Sequence, residues 1–390
     1  MEINGRRYDN GEAVQLELRG GKILRIRGGA SPAAGSELPW IAPGFVDLQV
    51  NGYGGREFTD PDLQPEHVLE ISRGLDATGV TQYLATITTQ SFERIDHSFR
   101  TIAAACETSS EVSRRIFGIH LEGPYISPHD GPRGAHPKPH CRPPDLAEFH
   151  RLQQASGGRI RLITLSPEYD EAPDFIRAVA SEGVLVSIGH TAATSAQIAR
   201  ACDAGARMST HLGNGAHAIL PRHPNYLWDQ LADDRLTASL IADGHHLPAA
   251  VVKSMVRAKG VERCVLVSDL TGLAGMPPGH YSTGLGEVEV LEDGRLVVAG
   301  QRQFLAGAAR PIGDGIVHLM SDAGLSRAAA VELASLRPAA LIGLPVEKLE
   351  AGSQANLVLF DLIGGEGIGC RGLKVRATLN QGEVVFGSMA

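Results

Sequence analysis

Apolar residues in the middle of this chain gather into eight short runs: Phe45–Val50, Gln82–Ile87, Ile116–Leu121, Ile160–Leu165, Val184–Ile188, Met208–His211, Leu236–Ile241 and Cys264–Val267. Such runs predict strands buried on both faces. Between most of them the apolar spacing changes to a helical period, as in Glu66–Thr78, Phe92–Cys106, Leu146–Gln154, Ala172–Ser181, Ser195–Ala204 and Ala249–Lys259. Strand–helix alternation predicts parallel strands, and eight such units predict an α/β fold of the (β/α)8 TIM barrel type. A doubly wound open sheet is the alternative, but no GxGxxG or GxxxxGK[ST] follows the first run.

The ends of the chain read differently. Ala13–Leu18 and Lys22–Ile26 flank Gly20-Gly21, and Gly28–Gly35 follows as a loop. Ala355–Phe360, Lys374–Thr378 and Glu383–Phe386 form a second strand-like group, with Gln381-Gly382 between the last two. We expect one small β-sandwich domain assembled from both termini, residues 1–42 with 350–390, around a barrel of residues 43–349. Two connections are long: Gly123–Pro144, and Leu270–Arg310 with a hairpin expected around Glu292-Asp293-Gly294. Long ordered loops after barrel strands shape a substrate pocket or a lid.

Polar residues end three of the runs: Glu122, His190 and His211. A carboxylate with two imidazoles suits a borderline divalent ion such as Zn²⁺, and a barrel brings strand ends together on one face. Three protein ligands leave a coordination position open, the arrangement of catalytic sites. Asp269 ends the eighth run and is followed by the glycine-rich Leu270–Gly275, so it reads as a general base more readily than as a helix cap. His129, His136 and His140 share one polar stretch, and the residues alone do not choose among them.

Composition narrows the class. The chain is 43% hydrophobic and 21% charged, as a globular protein is, and its net charge of −8 and pI near 6.0 argue against nucleic acid or a membrane surface as partner. Five scattered cysteines, none in CxxC spacing, point to reduced thiols. With no uninterrupted apolar segment from Met1 to Leu18, we expect a cytoplasmic protein without a secretory signal.

The phrases Pro43-Gly44-Phe45-Val46-Asp47, His120-Leu121-Glu122-Gly123-Pro124-Tyr125, Gly134-Ala135-His136, Gly189-His190-Thr191, Thr210-His211-Leu212, Ile241-Ala242-Asp243-Gly244 and Leu305-Ala306-Gly307 resemble those of N-acetylglucosamine-6-phosphate deacetylases, members of the amidohydrolase superfamily. The likeness runs from Ile41 through Asp361. It implies removal of an acetyl group from N-acetylglucosamine 6-phosphate. It also implies one divalent metal ion per chain, Zn²⁺ first with Fe²⁺, Co²⁺ or Mn²⁺ as alternatives, and a homodimer.

Position by position, the resemblance implies Glu122, His190 and His211 as metal ligands and Asp269 as the acid/base. It implies that His136 polarises the acetyl carbonyl. Ala135, Asn214, Gly215, Arg222, Asp243, His246, Leu305, Ala306 and Gly307 would line the sugar phosphate site.

Three departures qualify this. Gln49-Val50-Asn51 stands where many amidohydrolases carry His-x-His, which favours a one-metal site. The loop after His211 reads Leu-Gly-Asn-Gly-Ala-His-Ala, and Pro221-Arg222-His223-Pro224 replaces a commoner Arg-Glu-Pro-Gly. Rival readings are a deacetylase for another N-acetyl amino sugar, of galactosamine type or unphosphorylated, and a non-catalytic barrel scaffold. Cyclic-amide hydrolysis is disfavoured, because Leu165-Ser166-Pro167-Glu168 stands where a bridging lysine would be.

Overall fold

The computed structural model describes residues 1–30, 37–283 and 286–389; of the expected loop Gly28–Gly35, residues 31–35 lie outside them. Eight parallel strands follow one another around a sheet in chain order: Phe45–Val50, Val80–Thr88, Ile116–Glu122, Ile160–Leu165, Leu185–Ile188, Met208–Ser209, Thr237–Leu240 and Cys264–Leu266. A parallel bridge between Val50 and Leu270, with Asn51 N–H donating to Leu270 O at 2.7 Å, joins the first strand to the eighth and closes the barrel. Val46, Leu48, Leu84, Leu162, Met208, Ile241, Val265 and Val267 fill its interior.

The crossover helices start where local chemistry predicts. Ser91 accepts from Arg94 N–H to open Phe92–Thr108, and Asp145 accepts from Ala147 and Glu148 N–H to open Leu146–Ala155. Thr194 and Gln197 form a reciprocal capping box before Ser195–Ala204. Each satisfies amide protons that a helix start leaves orphaned, and Ile198 and Cys202 then face the barrel wall.

The expected hairpin in the long last connection is part of a four-stranded antiparallel sheet, Gly279–Thr283, Gly286–Val290, Leu296–Val298 and Gln301–Leu305. The chain then returns to pair Ala308 with Leu270, which sets Leu305–Gly307 at the mouth of the barrel.

Both termini meet in a separate mixed sheet of seven strands. Trp40–Pro43 pairs in parallel with Glu2–Arg7 and antiparallel with Leu357–Ile363. Its own core holds Ile3, Val14, Leu16 and Ile23 from one end and Leu357, Leu359, Ala377 and Leu379 from the other.

Candidate active site

Glu122 is the last residue of the third barrel strand, and His190 and His211 stand just beyond the fifth and sixth. Both histidines have left-handed backbones, φ 49° and 29°, and Asp269 beyond the eighth strand has φ 56°. That turn of the chain swings each side chain from the strand end into the mouth. The glycines around them allow close approach: a Cβ on Gly215 (φ 56°) would meet His190 Nδ1 at 2.7 Å, so the loop after the sixth strand can lie on the imidazole only without one.

The donor atoms converge. Glu122 Oε1 lies 3.3 Å from His190 Nε2 and 3.1 Å from His211 Nε2, and the two Nε2 atoms are 3.1 Å apart. Edges of that length belong to a tetrahedron whose vertices sit roughly 2 Å from its centre, the ligand distance of Zn²⁺. His190 Nδ1 is 2.8 Å from Pro132 O, an arrangement in which its proton sits on Nδ1 and the Nε2 lone pair faces the centre. Burial opposes ionisation of Glu122, but the adjoining His190 and His211 rings outweigh it and hold its carboxyl well below the usual range. The three residues therefore fit a divalent metal.

His136, buried while His129 and His140 are not, is the histidine of its loop that reaches the cluster, with Nε2 3.2 Å from His190 Nε2. Glu122, His136 and His190 also make a compact donor group. The tautomer separates His136 from His190: its Nδ1 accepts Thr89 N–H at 3.4 Å, which puts the proton on Nε2, facing the cavity. Burial, with His190 beside it, pushes its pKa down to about 3, so it is a neutral donor at ordinary pH.

Asp269 completes the set. Burial, and then the Glu122 carboxylate, push its pKa up to about 6, and Asn51 Nδ2 donates to its Oδ1 at 2.8 Å. A carboxyl so tuned is suited to accept and return a proton near neutral pH. Gln49 Nε2 donates to Glu122 Oε1 at 2.9 Å. Gln49 and Asn51, read in the sequence as the place of a missing histidine pair, thus hold Glu122 and Asp269.

A cavity of about 670 Å³, within the 300–1,000 Å³ of small-molecule sites, is lined by Asn51, Glu122, His136, His190, His211 and Asp269. Ala135, Asn214, Gly215, His246, Leu305, Ala306 and Gly307 line it. Asp243 stands behind His246, with Oδ2 2.7 Å from His246 Nδ1. Burial of Asp243 opposes its charge, but the His246 hydrogen bond prevails and holds its pKa down to about 2. Arg222 is exposed and does not line the cavity. Sequence reasoning missed Arg94, Gln90 and the Glu57–Pro61 loop, which line the side nearest the first two strands; no spacing in the chain announces them.

The amidohydrolase family model matches residues 40–386. The N-acetylglucosamine-6-phosphate deacetylase of Bos taurus is 33% identical, over 89% of this chain and 83% of that protein. The N-acetylgalactosamine-6-phosphate deacetylase of Escherichia coli O157:H7 is 32% identical, over 89% and 90%. Among solved structures, N-acetyl-D-glucosamine-6-phosphate deacetylase from Mycobacterium smegmatis superposes with a TM-score of 0.85 at 30% identity, covering 99% of this chain and 100% of that one. The chain belongs to the amidohydrolase family and, within it, to the N-acetylglucosamine-6-phosphate deacetylases.

Proposed function

We propose that this enzyme hydrolyses the acetamide of N-acetylglucosamine 6-phosphate to glucosamine 6-phosphate and acetate. The observation that carries the reading is the meeting, in one cavity, of three metal-type donors, a buried carboxyl and a neutral imidazole N–H. Glu122, His190 and His211 would hold one divalent ion, Zn²⁺ first and Fe²⁺, Co²⁺ or Mn²⁺ as alternatives, which when bound acidifies water and polarises a carbonyl.

Asp269 takes the proton of the attacking water as its oxygen bonds to the acetyl carbon. His136 Nε2–H donates to the carbonyl oxygen as negative charge grows there. As the C–N bond breaks, Asp269 returns the proton to the amine nitrogen, and acetate leaves. Ala135, Asn214, Gly215, His246 and the Leu305–Gly307 segment hold the sugar, with Asp243 orienting His246.

The near-equal likeness to a galactosamine-type enzyme favours a second reading, the C4 epimer as substrate. Acetate release from a panel of N-acetylhexosamines, each with and without 6-phosphate, separates the two. Asp269→Asn should keep about one metal ion per chain by elemental analysis and lose roughly 10²–10⁴-fold in kcat. Full turnover in that variant would remove the acid/base role.

We further read the chain as a cytoplasmic homodimer with two domains, residues 1–42 with 350–390 and residues 43–349. Among the described residues no helix is long and apolar enough to cross a membrane.

A further inference from the structure

The fourth barrel strand, Ile160–Leu165, gives no residue to the cavity lining, yet Glu168, three residues beyond it, gathers loops that do. Glu168 is half-buried and is not itself among the lining residues. Its Oε1 accepts Ser127 Oγ–H at 3.0 Å, and its Oε2 accepts Ser166 Oγ–H at 2.7 Å and Ala192 N–H at 2.8 Å. These three donors belong to the loops after the third, fourth and fifth strands. Hydrogen bonds to an ionised acceptor are the strong ones, and here one carboxylate shares them among three segments of chain.

Each contact leads to a group of the site. Ser127 N–H donates to His190 O at 3.0 Å. The loop that carries Ser127 also carries Pro132, whose carbonyl faces His190 Nδ1, and His136. Ser166 Oγ lies 2.8 Å from Thr191 Oγ1 and, with its own proton given to Glu168, can accept the threonine's. His190 is therefore gripped on both sides of its left-handed backbone, at its carbonyl by Ser127 and through Thr191 and Ala192 by Ser166 and Glu168. Backbone in so sparse a region persists only where its surroundings over-determine it. Glu168 is anchored in turn: its backbone carbonyl accepts Gln197 Nε2 at 3.0 Å, from the residue that caps the helix Ser195–Ala204. Tyr169 OH donates to Ile126 O at 2.7 Å, a second tie to the third-strand loop.

We infer that Glu168 is a positioning residue for the hydrolysis: its carboxylate locks the loops after the third and fifth strands together and so sets where His190 Nε2 and His136 Nε2 point. The inference rests on the metal-site part of the proposed function. Glu168 acts through these two histidines and not on the acetamide.

Glu168→Leu leaves Ala192 N–H and two hydroxyls without their acceptor. Glu168→Gln keeps the shape, with its oxygen towards Ala192 and its amide towards Ser127 Oγ, which can accept. The test measures Co²⁺ affinity, by titration into metal-stripped protein followed by visible absorption, and kcat and KM for N-acetylglucosamine 6-phosphate at saturating metal. Glu168→Leu should bind Co²⁺ about 10- to 100-fold more weakly and lose about tenfold or more in kcat, with KM within a few-fold. Glu168→Gln should bring both back to within a few-fold of wild type. A merely structural role lowers the melting temperature of Glu168→Leu and leaves the Co²⁺ affinity of the folded protein at the wild-type value. That result overturns the proposal, as does a Glu168→Gln variant impaired as much as Glu168→Leu.

If Glu168→Leu does not fold, Ser127→Ala, which removes one of the three donors, takes its place. Co²⁺ binding about 3- to 10-fold weaker sustains the role, and wild-type affinity ends it. Wild type that binds Co²⁺ but releases acetate from no acetamido sugar refutes the deacetylase reading, while the Co²⁺ affinities alone still judge Glu168. Wild type that binds no Co²⁺ removes the metal site and this role with it.

Discussion

Left-handed backbone is costly for side chains other than glycine, about 1–3 kcal/mol where strained, and the described chain shows it at only four non-glycine residues. Gln381 occupies a surface turn; the other three are His190, His211 and Asp269. The concentration of strain at the barrel mouth fits residues retained for what their side chains reach. Gln49 shows the complementary case, a residue whose role lies entirely in its partner. Its amide gives a hydrogen bond to the very oxygen, Glu122 Oε1, that faces both imidazoles. Gln49→Leu keeps bulk but frees that carboxylate to rotate. We expect metal affinity to drop about 10- to 100-fold, read by competition with a chelator of known affinity. Unaltered affinity would show that Glu122 needs no such support.

At the scale of elements, the first strand carries the irregularity that makes Gln49 useful. Asp47 lies opposite Tyr83 and Val50 opposite Ala85, so three steps on one strand match two on the next. This extra residue is a β-bulge, and it lets Leu48 enter the barrel core while Gln49 reaches Glu122. Asp47 Oδ1 accepts the N–H groups of Gln49 and Ser268, both at 3.2 Å, and so stitches the first strand to the eighth beside Asp269. Its Oδ2 meets no hydrogen-bond partner among the described residues, and burial pushes its pKa up to about 7.

A carboxyl whose folded pKa exceeds its unfolded value holds its proton more tightly in the native state. Its stabilising contribution is full below pH about 4 and is lost as pH rises through about 7. Asp47→Asn cannot ionise, so its stability relative to wild type should improve by up to a few kcal/mol between pH 5 and 8. Urea unfolding at each pH measures this, and a constant difference would refute it.

The bulge lay beyond sequence reading because Phe45–Val50 has the same apolar pattern with or without it. What was legible had local causes. Ser195–Ala204 is bounded by Thr194 and Gly205, and Ile160–Leu165 by its own apolar run, and both have the expected ends. The sixth strand is shorter than Met208–His211 because the left-handed turn at His211 takes the chain out of the ladder. Glu122, His190 and His211 could be read because each ends a run. Arg94 could not, since its setting depends on Thr59, which only the fold brings alongside.

For the whole molecule, the two cores share walls. In the strand Leu357–Ile363, Leu357 and Leu359 face the terminal sheet's core, while Val358 and Phe360 pack with Phe45 and the shell of the barrel. Trp40–Pro43 does the same, with Ile41 on one side and Ala42 on the other. Thr378 Oγ1 donates to Asp76 O at 2.7 Å, and Asn380 Nδ2 to Thr81 O at 2.8 Å, tying the strand Gly372–Asn380 to the second barrel unit. A wall buried on both sides cannot loosen towards one core without exposing the other, so the terminal sheet and the barrel should unfold together. Trp40 lies in the terminal sheet and the crossover helices surround the barrel, so once the exposed Trp228 of the barrel helix Tyr226–Ala232 is replaced by Phe, tryptophan fluorescence and far-ultraviolet dichroism sample the two parts. Their melting curves should coincide. Leu359→Ala, at a side chain only 2% exposed, should cost about 2–5 kcal/mol and move both curves by the same amount. If the fluorescence transition moved alone, with the dichroism unshifted, the two parts would be separate cooperative units and the shared wall would carry no coupling.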